Sequence, residues 1–405
     1  MSRRSEPPPR PGAEARRVAA EALVRIEQDD AYANLALGSV LDRSGLAPAD
    51  RALVTDVVYG VLRRRRSLDH LVDRYLTTGP PLPTRTALRI GAYQLLEERI
   101  PPHAAVSTAV DAAPARHRGL VNAVLRKVAA EGAAGARTWP DDPTRLSYPD
   151  WLVDLTIADL GPDDGIAALE AMNLAPEVTT RADGYVQDAA SQELVEGIAA
   201  LAGEGGRLAG IVGFDLCAAP GGKATALAAL GASVVAMDHR PSRTRLLAGN
   251  VARLGAGVGV VTGDAVQPPM RSAIADVVLV DAPCSGLGVL RRRPDARWRL
   301  EPDAIARLAA LQTRILVAAA DLVAPGGHLV YSVCTFTRAE TLDVAEAVDA
   351  ALGVAGVGAG WEHSPLRPAG WRALGEGALV LPQDRGTDAM AGFAWRRSAG
   401  VDEHG

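Results

Sequence analysis

Two acid-and-cysteine segments stand where this chain could do covalent chemistry. Asp281-Ala282-Pro283-Cys284-Ser285-Gly286 and Tyr331-Ser332-Val333-Cys334-Thr335 each close an apolar, β-branched run of strand length. A lone cysteine usually packs in a core as a small hydrophobe, whereas two at neighbouring strand ends, beside an aspartate, are better explained by reactivity. The reaction such a set suits is methylation of a pyrimidine carbon. Carbon 5 of cytosine is too poor a nucleophile to attack a methyl sulfonium unaided, but a thiolate added to carbon 6 makes the ring enamine-like, and carbon 5 can then attack. Asp281 is the candidate for protonating or hydrogen-bonding nitrogen 3, which a carboxylic acid kept neutral in an apolar pocket can do. A base must then take the proton from carbon 5 so that the thiol is eliminated. On residue types alone, either Cys284 or Cys334 could be the attacking sulfur.

The methyl donor needs its own site. An earlier strand ends in Asp215-Leu216-Cys217-Ala218-Ala219-Pro220-Gly221-Gly222-Lys223, and a helix starts at once. Small residues and paired glycines there let backbone amides approach a ligand at a helix N-terminus. The spacing matches neither GxGxxG nor GxxxxGK[ST], which disfavours a dinucleotide or a phosphate loop. Lys223 is one of two lysines, with Lys127, beside 41 arginines, so its survival asks for a local reason. The next strand ends in Asp238, placed to accept ribose hydroxyls, and the third is followed by Gly263-Asp264-Ala265. Each acid alone reads as a turn or cap residue; three consecutive strands delivering such loops to one edge read as a cofactor site.

These loops need a sheet to carry them. Ile211–Leu216, Ala232–Met237, Val258–Val261, Val277–Val280 and His328–Val333 are expected strands alternating with helices, which implies a parallel sheet covered on both faces, with ligands beyond the carboxyl ends of the strands. Residues 14–135 read instead as helical, with apolar residues at three- and four-residue spacing in Leu53-Val54-Val57-Val58-Val61-Leu62 and breaks at Gly45 to Pro48, Gly79 to Pro83 and Pro101-Pro102. Ala130 to Pro143 reads as a linker, and Trp151 to Met172 returns to a helical pattern.

The chain of 405 residues, 48% hydrophobic, is long enough for two cores. Residues 1–140 hold 21 Arg plus Lys against 15 Asp plus Glu, and the remainder 22 against 33; a basic segment joined to an acidic one is compatible with a polyanionic partner or a solvated surface. No apolar run of membrane-spanning length occurs, and Met1 to Gly12 has no apolar segment behind it, so a cytoplasmic chain that does not enter the membrane is expected. Cys217, Cys284 and Cys334 lie far apart without metal-ligand spacing, so free thiols and no metal are expected. A monomer is the default.

Cys217 to Lys223, Asp281 to Gly286 and Tyr331 to Thr335 resemble the signature blocks of the NOL1/NOP2/Sun family of RNA (cytosine-5) methyltransferases. Ala87-Leu88-Arg89-Ile90-Gly91-Ala92-Tyr93-Gln94-Leu95-Leu96, Ile100 to Ala104 and Leu120 to Arg126 resemble the NusB-like domain that precedes the catalytic domain in its bacterial members acting on small-subunit ribosomal RNA. Gln187 to Ser191 and Asp388 to Phe393 are similar to the family's entry and closing segments. The resemblance implies an S-adenosylmethionine-dependent enzyme with a Rossmann-like domain, a mostly parallel seven-stranded sheet, behind an all-α domain. Its expected limits are a disordered N-terminus (1–13), a NusB-like RNA-binding domain (14–135), connecting helices (136–184), the methyltransferase domain (185–398) and a disordered tail (399–405). It further implies that Cys334 attacks and Cys284 assists release. Cys217, Ala218, Ala219, Pro220, Gly221, Gly222 and Lys223 would cradle the methionine part of the cofactor, Asp238 its ribose and Asp264 its adenine, with Asp281 also at the cofactor. Arg292 and Arg293, in an Arg-Arg-x-Pro-Asp segment, would touch RNA phosphate. Val333, Thr335 and Arg338 depart from the family's usual Thr, Ser and Pro but border the thiol without replacing it. Only Leu174 to Val186 stands where relatives carry a small β-rich subdomain. Ribosomal RNA of the small subunit is the expected substrate. The competing readings are a tRNA cytosine-5 methyltransferase, an RNA-binding protein with an inactive catalytic half, an amino-group methyltransferase and a DNA enzyme.

Overall fold

The computed structural model describes residues 12–97, 100–135, 137–354 and 360–399. The expected disordered ends fall, over 1–11 and 400–405, outside these residues, whereas Gly12 and Ala13 open the first helix. The chain forms two compact units: Met1–Val153 with Arg293–Arg299, and Asp154–Arg292 with Leu300–Gly405.

The first unit is helical. Ala13–Gln28, Ala33–Ser44, Pro48–Arg63, Arg65–Asp73, Leu82–Glu97, Pro102–Ala112 and Arg118–Ala133 are its longer helices. The expected breaks fall between them, and Val54, Val57, Val58 and Val61 are buried as their spacing requires. Leu82–Glu97 is buried without interruption from Thr86 to Leu95, which makes it the helix the others pack around. Its one deeply placed charge, Arg89, is held by Asp69 at 2.7 and 2.8 Å and by Glu27 at 2.6 Å, as a buried cation requires.

The compact unit reaches beyond residue 135, where the helical domain is expected to end, and runs on to Val153. Ser67 Oγ donates to the Thr144 carbonyl at 2.7 Å and Arg66 Nη1 to the Tyr148 carbonyl at 2.9 Å. The stretch expected to be a linker is thus tied down around a short helix, Asp142–Leu146. A second addition comes from far along the chain. Arg297 is fully buried, lies 3.9 Å from the Tyr148 ring centroid and donates to the carbonyls of Arg63 (3.0 Å) and Ser147 (3.2 Å); burial pushes its guanidinium pKa down to about 10. Trp298 Nε1 donates to the Leu62 carbonyl, and Asp295 accepts from the Ala33 amide at the start of Ala33–Ser44. The run Arg63–Arg66 is largely committed inside the unit, with Arg63 buried, Arg65 over Trp298 and Arg66 on Thr144 and Tyr148.

The second unit is built on one sheet. Its strands are β1 (Val212–Asp215), β2 (Ser233–Asp238), β3 (Val258–Thr262), β4 (Ala275–Asp281), β5 (Val323–Val333), β6 (Trp361–His363), β7 (Arg372–Leu374), β8 (Gly377–Val380) and β9 (Met390–Arg397). The order is β3-β2-β1-β4-β5-β9-β8-β7, with β6 also on β9. β1 to β5 pair in parallel and β9 runs antiparallel to β5. Among the described residues the sheet carries nine strands rather than seven, because the closing region adds strands of three or four residues, too short to show a period. The chain winds outward from β1 to β3 and then returns to β4 on β1's other side, so the switch point lies between β1 and β4 and opens a crevice at their carboxyl ends. No described helix is long and apolar enough to cross a membrane.

Candidate active site

From Val277 on, β4 pairs with β5 in register to its own last residue, Asp281 opposite Ser332, and the Ala282 amide continues the ladder to the Ser332 carbonyl at 3.0 Å. The two segments leaving these strands therefore stay side by side. Cys284 lies three residues beyond Asp281 and Cys334 two beyond Ser332, and their sulfurs are 3.3 Å apart. Ser285 Oγ bridges to Thr335 Oγ1 at 3.1 Å, so the two loops are joined by side chains as well.

Lys223 reaches the same place from the first turn of Gly222–Ala229. Its Nζ is 2.7 Å from Asp281 Oδ2, while Ser332 Oγ donates to Asp281 Oδ1 at 2.8 Å. Burial alone would lower the ammonium's pKa; Asp281, with Cys334 adding to it, outweighs burial and raises it. The apolar pocket expected around Asp281 is absent. The acid sits instead in an ion pair, and its side chain remains 33% exposed, open to a ligand. The lysine that composition singled out is its partner.

The two thiols are not equivalent. The contact with Cys334, followed by burial and the charges of Cys334 and Glu340, raises the Cys284 pKa well above its ordinary value. Cys334 instead has the Lys223 ammonium as its charged neighbour. A carboxylate on the side of Cys284 and an ammonium on the side of Cys334 make the two sulfurs electrostatically distinct.

Gly288 holds this loop in place from below. Its amide donates to the Cys334 carbonyl at 2.9 Å, and a methyl group at its Cα would stand 2.8 Å from that oxygen and 2.3 Å from the Ala389 carbonyl. Both obstacles are backbone, so neither can rotate aside. Gly288→Ala is expected to displace Cys334 and slow covalent adduct formation with RNA about 100-fold, the effect of a misplacement of roughly 1 Å, measured as the single-turnover rate of a gel-shifted complex; an unchanged rate would show that the loop absorbs the methyl group.

The donor loop follows β1. Gly221 lies in the left-handed region (φ 108°), and a Cβ on Gly222 would sit 3.0 Å from Gln187 Nε2, so this cradle is open only because both residues are glycine. Ala218 N donates to the Met237 carbonyl, tying the loop to β2. Cys217 is half-buried and its thiol is pushed up by desolvation and by the neighbouring Asp215 charge, which sets it apart from the two sulfurs at the ends of β4 and β5. Asp238 is 6% exposed at the end of β2 and holds Arg243 Nε at 3.0 Å; Arg243 also donates to the Ala219 carbonyl. Asp264 is exposed and caps its own turn through the Val266 amide. Arg181 pins the segment before the sheet onto this loop, bonding to the Gly222 carbonyl and Thr225 Oγ1 and lying over Tyr185. The sequence offered no sign of Arg181 or Arg243, since neither lies in a motif or on a periodic face.

Asp215, which ends β1, is fully buried, and neither carboxylate oxygen makes a hydrogen bond of normal geometry. Burial, with the Asp281 charge, pushes its pKa up to about 7. Such a group binds its proton more tightly folded than unfolded, so its contribution to stability is lost as pH rises from about 4 to about 7. Asp215→Asn is expected to flatten that slope, compared as denaturation midpoints at about pH 5 and about pH 8; equal slopes in the two proteins would show that the acid folds ionised.

Arg292, expected at RNA phosphate, is not open to it. Its guanidinium is paired with Asp188 and, at 2.8 Å, with Asp388, and Arg291 bonds to the Thr387 carbonyl. Two carboxylates already neutralise the charge that a phosphate would need. The knot joins the entry and closing segments of the sheet to the stretch after β4. Arg293 is exposed and belongs to the first unit.

Comparison with known proteins adds the following. A family model described as 16S rRNA methyltransferase RsmB/F matches residues 210–390, and the NusB family model matches residues 13–130. A putative methyltransferase of Mycobacterium tuberculosis is 35% identical over 98% of this chain and 100% of its own length. Ribosomal RNA small subunit methyltransferase B of Thermus thermophilus is 38% identical over 76% of this chain and 80% of its own. The crystal structure of PH0851 superposes with a TM-score of 0.71 at 22% identity, over 98% of this chain and 100% of that one, which shows the fold.

Proposed function

The chain belongs to the 16S rRNA methyltransferase RsmB/F family, and from that premise we propose that it methylates carbon 5 of a cytosine in small-subunit ribosomal RNA through a covalent bond between Cys334 and carbon 6. The observation that carries this reading is the pair of sulfurs 3.3 Å apart at the ends of β4 and β5, in the crevice that also holds Lys223 and Asp281.

S-adenosylmethionine, when bound, supplies an electrophilic methyl group. The glycine cradle, the buried Asp238 and the under-bonded carboxylate of Asp215 fit a cationic amino-acid ligand carrying a ribose. Cys217 to Lys223 would hold its methionine part, Asp238 its ribose and Asp264 its adenine. The remaining steps belong to the chain. Cys334 Sγ bonds to carbon 6 as the proton held by the Lys223–Asp281 pair passes towards nitrogen 3, leaving carbon 5 electron-rich. Once carbon 5 carries the methyl group, its proton leaves to a base, the carbon 5–carbon 6 double bond re-forms, the electrons of the sulfur–carbon bond return to Cys334, and the proton on nitrogen 3 returns to the Lys223–Asp281 pair. Cys284, 3.3 Å away, is placed to assist that release.

The alignment with the Mycobacterium tuberculosis relative runs to 470 positions against 405 residues here, so that relative contains segments this chain lacks. We place the shortfall at Leu174 to Val186, and with it a change in how the target is gripped. The protein is further proposed to work in the cytoplasm as a monomer. Bisulfite sequencing of ribosomal and transfer RNA from cells lacking the protein tests the assignment. One small-subunit cytosine is expected to lose its methyl group; loss in transfer RNA alone would transfer the activity to that substrate.

A further inference from the structure

Glu340 lies six residues beyond Cys334, in the short helix Arg338–Glu340, and its side chain is completely buried. It is nonetheless saturated with donors. Oε1 accepts from the Ser285 amide at 2.8 Å and from Gln312 Nε2 at 3.0 Å; Oε2 accepts from Ser285 Oγ at 2.5 Å and Thr337 Oγ1 at 3.1 Å. Gln312 is oriented by Tyr331, whose hydroxyl donates to Gln312 Oε1 at 2.9 Å and lies 2.6 Å from the Glu340 carbonyl, while Gln312 Nε2 also donates to the Pro283 carbonyl. With every neighbour presenting a hydrogen, the site suits a carboxylate rather than a carboxylic acid.

That anion touches the residue next to Cys284 twice, and it grips Thr337 in the loop that carries Cys334. We propose that Glu340 is a positioning residue for the covalent step: it fixes the two sulfur-bearing loops against each other, so that Cys334 rather than Cys284 is presented to the cytosine as the nucleophile. This rests on the reading that Cys334 attacks.

The groups around the pair are consistent in sign. Cys284 faces Cys334 from the loop after β5, Glu340 from its short helix and the Tyr331 phenol from within β5. Cys334 faces Lys223, itself paired with Asp281. Removing the Glu340 charge takes away one of the two charges that distinguish the sulfurs, so that Cys284 becomes more acidic and more reactive relative to Cys334.

The test compares wild-type protein, Glu340→Gln, Glu340→Asp and Ser285→Ala. Alkylation of each cysteine by iodoacetamide is followed by mass spectrometry across pH, beside kcat, KM for RNA and the pH profile of adduct formation. Glu340→Gln is expected to raise Cys284 alkylation relative to Cys334 about tenfold, to lower kcat about 100-fold with KM little changed, and to move the pH profile. Glu340→Asp, which keeps the charge, should recover part of the rate, and Ser285→Ala should shift the ratio in the same direction with a smaller effect. The inference is overturned if folded Glu340→Gln protein alkylates its cysteines in the wild-type ratio, or if Glu340→Asp rescues nothing. Should Glu340→Gln not fold, an unshifted ratio in Ser285→Ala overturns it equally. If wild-type protein methylates RNA without any adduct at Cys334, the covalent reading itself fails, whatever Glu340 does.

Discussion

Cys334→Ala protein is expected to bind cofactor and RNA yet form no covalent complex, with turnover reduced by about 10⁴-fold or more, the scale of losing a covalent nucleophile. The expectation follows from the asymmetry of the two sulfurs. Cys334 has an ammonium beside it, whereas Cys284 is close to a carboxylate and its thiol is held well above its ordinary pKa, so it is a poor substitute at the same 3.3 Å contact. Cys284→Ala should give the opposite picture. The adduct forms through Cys334 but leaves slowly, and protein accumulates on RNA as a gel-shifted species resistant to denaturant. If Cys284→Ala abolished the shift and Cys334→Ala kept it, the roles would be exchanged and the enzyme would resemble those whose nucleophile follows the fourth strand.

The second large effect is expected at Asp281. Asp281→Asn keeps the size of the side chain but removes the anion that holds Lys223 charged. Burial then pulls the Lys223 pKa down, so the proton delivered towards nitrogen 3 and the positive charge beside Cys334 are weakened together. Turnover is expected to fall by about 10²- to 10⁴-fold, and stability by up to about 3–5 kcal/mol if the lysine cannot shed its charge. Single-turnover methylation and the denaturation midpoint separate the two contributions. A variant with full stability and full activity would show that the 2.7 Å ion pair has no part in the reaction.

Much of this site was legible in the sequence because its residues sit where a parallel sheet ends. Five apolar, β-branched runs located β1 to β5, and the residue following each run was marked by that fact alone. What stayed hidden depends on contacts between distant stretches. No periodicity announces that Glu340 bonds to Ser285, that Arg292 joins Asp188 to Asp388, or that Arg181 lies against Gly222. Arg292 was misread because an arginine in a basic stretch looks solvated until its partners, about 100 residues away on either side, are seen. Asp281 was assigned an apolar pocket because the lysine that pairs with it comes from a different strand-to-helix turn. The strands β6 to β8 escaped because three or four residues cannot display an alternation.

The segment Arg293–Arg299 carries one more consequence, which concerns the order of events at the ribosome. The helical unit is otherwise finished by Val153, yet the guanidinium that stacks on Tyr148 belongs to residue 297. Some 146 residues separate positions 153 and 299, so at roughly 5–20 residues per second the nascent N-terminal unit waits about 7–30 s for its last piece. Until then it emerges with the Tyr148 face uncovered, and the domain synthesised first is among the last to be completed.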